Sequence, residues 1–311
     1  MKRVVITGVG ALSPLGHDWS TVRARLKEER NVVQYLTAWD GYEGLNTRMG
    51  APVAPFELPA HYNRKATRSM GRVAVMGVRA SELALIDAGL LGDPLLSSGR
   101  LGISYGSSVG SPAAIGDFGN MISHKTTEGI TANTYIKMMS HTAAVNIGVF
   151  FGITGRIITT SSACTAGSQG IGYAFEAIQS GRQVAMLAGG AEELDAIDAA
   201  VFDTLFATST VNGTPHLTPR PFDAERDGLV LGEGAAQYLV LGLDCLEWPD
   251  RSQWSGLDFL ELSVGAHGGG NWRGQLCTGG QLADRRPVPG AQACAGHGSL
   301  YARPAAGVAA G

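Results

Sequence analysis

Ile157-Ile158-Thr159-Thr160-Ser161-Ser162-Ala163-Cys164-Thr165-Ala166-Gly167-Ser168-Gln169-Gly170-Ile171-Gly172-Tyr173-Ala174 is the stretch on which the reading of this chain turns. It opens on β-branched residues, which suit a strand. It then passes through small residues into small and apolar ones at helical spacing. Cys164 falls at the turn between the two. A thiol in the first turn of a helix stands beside unpaired N–H groups and the positive end of the helix dipole, and both favour the thiolate. The same N–H groups suit an oxyanion formed on a carbonyl that the sulfur attacks. Cysteine among small residues is also a common buried filler, so the stretch taken alone leaves nucleophile and core residue both open.

The totals narrow the class. A chain of 311 residues with 44% hydrophobic and 16% charged residues fits a globular enzyme of one large or two ordinary domains with a sizeable core. A net charge of −3 argues against a nucleic-acid binder and makes any basic patch local. Four Cys in such a length make no disulfide framework. No apolar run reaches the ~18 residues of a membrane-spanning helix. Met1-Lys2-Arg3 leads into a short strand-like run that soon meets Gly and Pro, unlike a secretion signal. The expectation is a cytoplasmic protein with no membrane and no nucleic-acid partner.

In chain order, Arg3–Thr7 reads as a buried strand and Gly8–Gly16 as a Gly-rich loop with tight turns. Pro14 and the glycine spacing speak against a dinucleotide site there. A helix over Asp18–Arg30 is expected, with Val22 and Leu26 on one face. Residues 31–60, punctuated by Pro52, Pro55 and Pro59, read as loop and short pieces. One long helix is expected over Arg64–Ala88, and its first turns would set Arg64, Lys65, Arg68 and Arg72 on one side. That row suits either a solvated face or a docking patch for an acidic partner.

Further strands are expected over Arg100–Tyr105 and Val184–Ala188. A loop follows the first of them at Gly106–Pro112, and Glu192 and Glu193 are expected to start a helix. The Met-rich segment 135–147 reads as core or dimer contact. Leu229–Leu241 reads as two strands around a Gly-Glu-Gly bend. Strands alternating with helices make the protein α/β.

Five separated motifs then agree in order: VVITGVGALSPLG from Val4, GSSVGSP from Gly106, SSACTAGSQGIGYA from Ser161, AGGAEE from Ala188 and RPFDAERDGLVLGEGAA from Arg220. On these motifs residues 3–241 resemble the N-terminal half of the β-ketoacyl-[acyl-carrier-protein] synthases, with the Gly106–Pro112 loop and Phe202–Phe206 nearer to synthase I than to synthase II. The resemblance implies the N-terminal half of a thiolase-like fold, in which two similar halves stack as α-β-α-β-α layers, usually in a homodimer. It implies Cys164 as the nucleophile that takes the acyl group from its carrier thioester. Malonyl-carrier then decarboxylates and condenses with that group, elongating a fatty-acid or polyketide chain. It implies Val109 and Phe202 near the acyl pocket, and Arg64, Lys65 and Arg68, with Lys125 beside them, as a docking surface for acyl carrier protein. No metal and no redox cofactor is implied. Thr165 stands where the family more often has Ala.

The chain changes character near Gly242. Residues 243–311 hold Cys245, Cys277 and Cys294, three of the four Cys, and Trp248, Trp254 and Trp272, three of the five Trp. They contain no Lys and show no sustained periodicity. The family's second half supplies two catalytic histidines and a lysine, whereas this tail offers only His267 and His297 in echoes of those patterns. The expected division is therefore residues 1–242 as the synthase N-terminal domain and residues 243–311 as an atypical tail in place of the second half, as a frameshift or aberrant C-terminus would produce. The alternative to a condensing enzyme is a non-catalytic remnant that at most accepts an acyl group or binds acyl carrier protein.

Overall fold

The computed structural model describes residues 2–242, 260–265 and 273–278, all within one compact unit, residues 1–279. In chain order the elements are β1 (Val4–Leu12), α1 (Trp19–Lys27), β2 (Gln34–Tyr35), β3 (Met49–Ala51), α2 (Arg64–Thr67), α3 (Arg72–Asp87), β4 (Leu101–Gly106), α4 (Pro112–His124), α5 (Ala132–Met138) and α6 (Thr142–Phe151). They continue with β5 (Ile157–Thr159), α7 (Ala166–Gln179), β6 (Ala185–Glu192), α8 (Ala196–Thr204), β7 (Leu231–Gly232), β8 (Gly234–Gly242), β9 (Leu260–Gly265) and β10 (Arg273–Thr278).

Seven strands form one mixed sheet in the order β10-β9-β1-β8-β6-β4-β5, and β2-β3-β7 form a small second sheet. Strands β5, β4 and β6 run parallel, while β8 is antiparallel to both β6 and β1. The core strands are apolar at successive positions because both faces are covered. Val5, Leu187, Leu239 and Leu241 face α3 and α6. Their neighbours Val4, Ile6, Met186, Ala188 and Val240 face α7 on the other side. Each fully buried Leu or Ile of this kind contributes about 1.5–3 kcal/mol.

The structure departs from the sequence reading in the first strand and in the helices that follow it. Strand β1 runs on through Gly8 and Gly10, where a loop is expected. A Cβ would stand 2.2 Å from the Ala84 carbonyl oxygen at Gly8, and 2.1 Å from that of Ala80 at Gly10. The glycines therefore admit α3 against the strand and make no turn.

The single helix expected over Arg64–Ala88 is two helices, with Gly71 as the N-cap of α3. A Cβ there would lie 2.4 Å from that of Ser111. Helix α1, capped by the Asp18 side chain, buries no residue, so Val22 and Leu26 line no core.

Beyond Gly242, β9 pairs antiparallel with β1 through Val5–Glu261 and Ile6–Leu260, and β10 with β9. Leu260-Glu261-Leu262-Ser263-Val264 alternates apolar and polar residues, a short strand signal, and the edge of β1 offers unpaired backbone groups. His267 and His297 lie outside the described residues.

Candidate active site

Three parallel strands end together at one side of the sheet: β4 at Gly106, β5 at Thr159 and β6 at Glu192. The crevice beyond the carboxyl ends of parallel strands is where α/β sheets bind ligands. Cys164 follows β5 there, in a tight three-residue helical turn, Ala163–Thr165, that precedes α7. It thus stands just before the helix, where the sequence suggested its first turn.

The preceding Ala163 has φ +53. This left-handed conformation costs an L-residue about 1–2 kcal/mol. It turns the chain sharply between strand and helix, and the sulfur-bearing residue is left exposed. Thr165 N–H and Ala166 N–H donate within the turn, to the Ser162 and Ala163 carbonyls. The Cys164 N–H makes no hydrogen bond among the described residues.

Small residues bring this turn close to the sheet. Gly190 sits against Gly167 at the start of α7, a Cβ on it falling 3.2 Å from the Gly167 Cα. At Gly170 a Cβ would meet the Ser104 carbonyl oxygen at 2.8 Å. Bulkier residues in α7 would push the cysteine turn off the strand ends.

Cys164 lines a cavity of about 710 Å³ together with Val109, from the loop after β4, and Phe202, from α8. The structure thus brings together three residues that stand 55 and 38 positions from one another in sequence. Ile171 adds to the apolar wall, and Glu193 and Asp198 bring carboxyls to it. Phe202 is held by its neighbour Asp203, a buried carboxylate that accepts from Asn46 N–H at 2.7 Å, Asn46 Nδ2–H at 3.0 Å and Thr208 Oγ1–H at 2.6 Å.

The carboxyls of Glu193 and Asp198 each have one buried oxygen without a hydrogen-bond partner among the described residues. Burial first, then the charge of Glu233, pushes Glu193 up to about 7. Burial, then Glu192 and Asp195, pushes Asp198 up to about 6. Glu192 ends β6 and does not begin a helix; helix α8 starts four residues on, capped by the Asp195 side chain. Among the described residues no three His, Cys, Asp or Glu side chains form a group that could hold a metal ion.

The basic residues divide. Arg64, Lys65 and Arg68 are exposed and make no ion pair among the described residues. Arg72 belongs to a different helix and turns inward. Its Nε lies 2.5 Å and its Nη2 2.7 Å from the carboxylate of Glu233, which also accepts from Val53 N–H at 2.9 Å. The expected row of four is therefore three surface cations and one structural one. Lys125, exposed at the end of α4, closes that helix in the left-handed conformation.

A mixed sheet covered on both faces, with an exposed thiol beside a largely apolar cavity at the ends of its parallel strands, is an α/β architecture that brings a sulfur to a ligand-sized crevice. The chain belongs to the β-ketoacyl synthase family: residues 1–244 match the family model "Beta-ketoacyl synthase, N-terminal domain". It is 32% identical over 244 residues, 78% of this chain, to "3-oxoacyl-[acyl-carrier-protein] synthase 2" of Synechocystis. Over 242 residues it is also 32% identical to "3-oxoacyl-[acyl-carrier-protein] synthase 1" of Buchnera aphidicola. The crystal structure of a β-ketoacyl synthase from Burkholderia phymatum superposes with a TM-score of 0.80 at 52% identity, over 85% of this chain and 64% of that one. The chain spans 58% and 59% of the length of the two curated relatives. Its fold is that of the N-terminal half of a thiolase-like ketosynthase.

Proposed function

We propose that residues 1–242 are a synthase N-terminal domain whose Cys164 accepts an acyl group from acyl carrier protein, as the first half of a decarboxylative Claisen condensation. The Cys164 thiolate attacks the carbonyl of the acyl-carrier thioester, forming a tetrahedral oxyanion. The C–S bond to the carrier breaks, the carrier leaves as a thiolate that takes a proton from water, and the acyl group stays on Cys164 as a thioester. Malonyl-carrier then loses CO₂, and the resulting carbanion attacks that acyl carbonyl. A C–C bond forms, the Cys164 thiolate is released, and the carrier holds a β-ketoacyl chain two carbons longer. Dividing transfer from condensation is covalent catalysis.

The observation that carries this reading is that Cys164, Val109 and Phe202 line one cavity. An exposed sulfur at its rim is reachable by a thioester, and an apolar wall suits an alkyl chain. The unpaired Cys164 N–H is a donor for the oxyanion. Arg64, Lys65 and Arg68 form the cationic patch that would receive an acidic carrier. In this reading residues 243–311 are a tail that takes the place of the family's C-terminal half, the complete enzyme works as a cytoplasmic homodimer, and neither metal nor redox cofactor takes part.

A second reading, that the chain accepts an acyl group but does not condense it, is favoured by where the chemistry lies: the family match covers residues 1–244, and the two histidines that echo the family's second half, His267 and His297, fall beyond it. One experiment separates the two. The purified chain is incubated with acyl-carrier and malonyl-carrier, and both the mass of the chain and the carrier products are followed. Acyl mass on Cys164 with ketoacyl product supports the full synthase, and acyl mass without product supports the acceptor. Acyl mass that persists in Cys164→Ala refutes the nucleophile.

A further inference from the structure

The last residue of β6, Glu192, reaches across the end of the sheet to the loop that follows β4. Its carboxylate accepts three hydrogen bonds there: Ser108 N–H at 2.7 Å, Ser107 Oγ–H at 3.0 Å and Val109 N–H at 3.3 Å. The Ser107 hydroxyl oxygen in turn accepts from Gly110 N–H at 3.1 Å. Gly110 holds φ +85, and a Cβ on it would stand 2.4 Å from the Met138 carbonyl oxygen. Residues 107–110 are therefore tied, one after another, to a single carboxylate and to a backbone wall behind them.

Hydrogen bonds from N–H to a carboxylate are about twice as strong as neutral ones. A residue that served the fold at large would spread its contacts. The side-chain hydrogen bonds of Glu192 all go to this one loop. The loop carries Val109, and Glu192, Ser108 and Val109 line the same cavity as Cys164. Glu192 therefore touches the cavity wall through backbone amides, which set where the wall stands.

We propose that Glu192 is the positioning residue that fixes the Val109 wall opposite Cys164 and thereby sets which acyl chains the cavity accepts; this rests on the reading of Cys164 as acyl acceptor. A carboxylate suits the site because the loop turns three donors toward it, two of them backbone N–H groups that can only donate. Glutamine retains one acceptor oxygen and turns an NH₂ group toward the remaining donors, so it preserves part of the tie. Alanine removes it.

The test uses the full 311-residue chain and a series of saturated acyl-carrier thioesters of increasing length, with acylation of Cys164 followed by mass. The wild type is expected to discriminate among lengths. Glu192→Ala is expected to flatten that profile about fivefold or more, the scale set by losing a charge-assisted contact, with Glu192→Gln between. Val109→Ala is expected to flatten it likewise, and Glu192→Ala added to Val109→Ala to do little more, because both act through one wall. A parallel fall in every rate, or an unchanged profile, overturns the proposal.

Amide hydrogen exchange supplies a measurement that needs no acylation. In Glu192→Ala, exchange is expected to rise at Ser108 and Val109 while β8 keeps its protection; unchanged exchange at those amides overturns the tie. A wild-type chain that takes up no acyl group at all defeats the reading of Cys164, and the exchange result still decides whether Glu192 holds the loop.

Discussion

Gly106, the last residue of β4, lies flat against Thr160, the residue that leads β5 toward the cysteine turn. A Cβ on Gly106 would stand 1.9 Å from the Thr160 carbonyl oxygen and 2.6 Å from its hydroxyl. Two backbones meet there, so no side-chain rotation relieves the contact. Gly106→Ala is expected to cost about 2–4 kcal/mol, the range of a severe overpacking, read as a lowered urea midpoint. Only Ser161, Ser162 and Ala163 lie between Thr160 and Cys164, so the variant is also expected to slow acylation of Cys164. A variant as stable as the wild type would show that the two strand ends are not held together as described.

Arg72 and Glu233 tie α3 to the bend that joins β7 to β8. Glu233 is nearly fully buried and Arg72 is half exposed. Removing the cation leaves a buried carboxylate with Val53 N–H as its one remaining hydrogen-bond partner among the described residues. Arg72→Leu is therefore expected to lose about 2–4 kcal/mol, below the upper range for a fully buried pair because the arginine keeps some water. Glu233→Gln in the same background is expected to recover part of the loss. A double-mutant cycle in chemical denaturation reads the coupling directly, and a coupling near zero would contradict the ion pair.

Much of this was legible in the sequence because the signals are local. The strand-turn-helix around Cys164, the strands β4, β6 and β8 of the central sheet and the Gly-Glu-Gly bend each declare themselves within about a dozen residues. What was not legible depends on distant partners. Gly8 and Gly10 look like loop glycines until Ala80 and Ala84 arrive against them. Arg72 looks like a surface cation in a basic row, yet its partner lies 161 residues on. Glu192 looks like an acid placed to suit a helix dipole, yet it binds a loop more than 80 residues earlier. A faint signal existed for Glu192: an acid closing an apolar strand at its carboxyl end, where α/β sheets build their sites.

Glu193, one residue further, supplies a pH dependence. Its carboxyl is pushed from a usual 4.5 up to about 7, first by burial and then by the charge of Glu233. The folded chain holds this proton more tightly than the unfolded one. The stabilisation is complete below the ordinary carboxyl range and is lost as pH rises through about 7. Asp198, raised to about 6, acts in the same direction. Because Glu193 is partly exposed, the loss is discounted to on the order of 1 kcal/mol. Wild-type stability is expected to decline between about pH 5 and pH 7.5, and Glu193→Gln to remove most of that decline. Parallel stability curves for the two proteins would sink the assignment.

The exposed cations Arg64, Lys65 and Arg68 are the ones proposed to receive the carrier. They crowd into and just past the four-residue helix α2, which the Asn63 side chain caps through Lys65 N–H and Ala66 N–H. Their backbone is thus fixed while their side chains reach solvent. Cations of this kind attract an acidic partner through screened Coulomb forces worth about 0.5–1 kcal/mol each. Reversing all three to Glu is expected to raise KM for acyl-carrier about tenfold or more at low salt, with little change in the maximal rate of Cys164 acylation. The gap between variant and wild type should narrow as salt rises to about 0.5 M, because screening removes the interaction from the wild type as well. Arg72 serves as the internal contrast. It carries the same charge nearby but is engaged with Glu233, so Arg72→Lys is expected to leave the salt dependence of KM unchanged. If the triple reversal lowers the maximal rate and leaves KM alone, these residues support the site through the fold, and the carrier docks elsewhere.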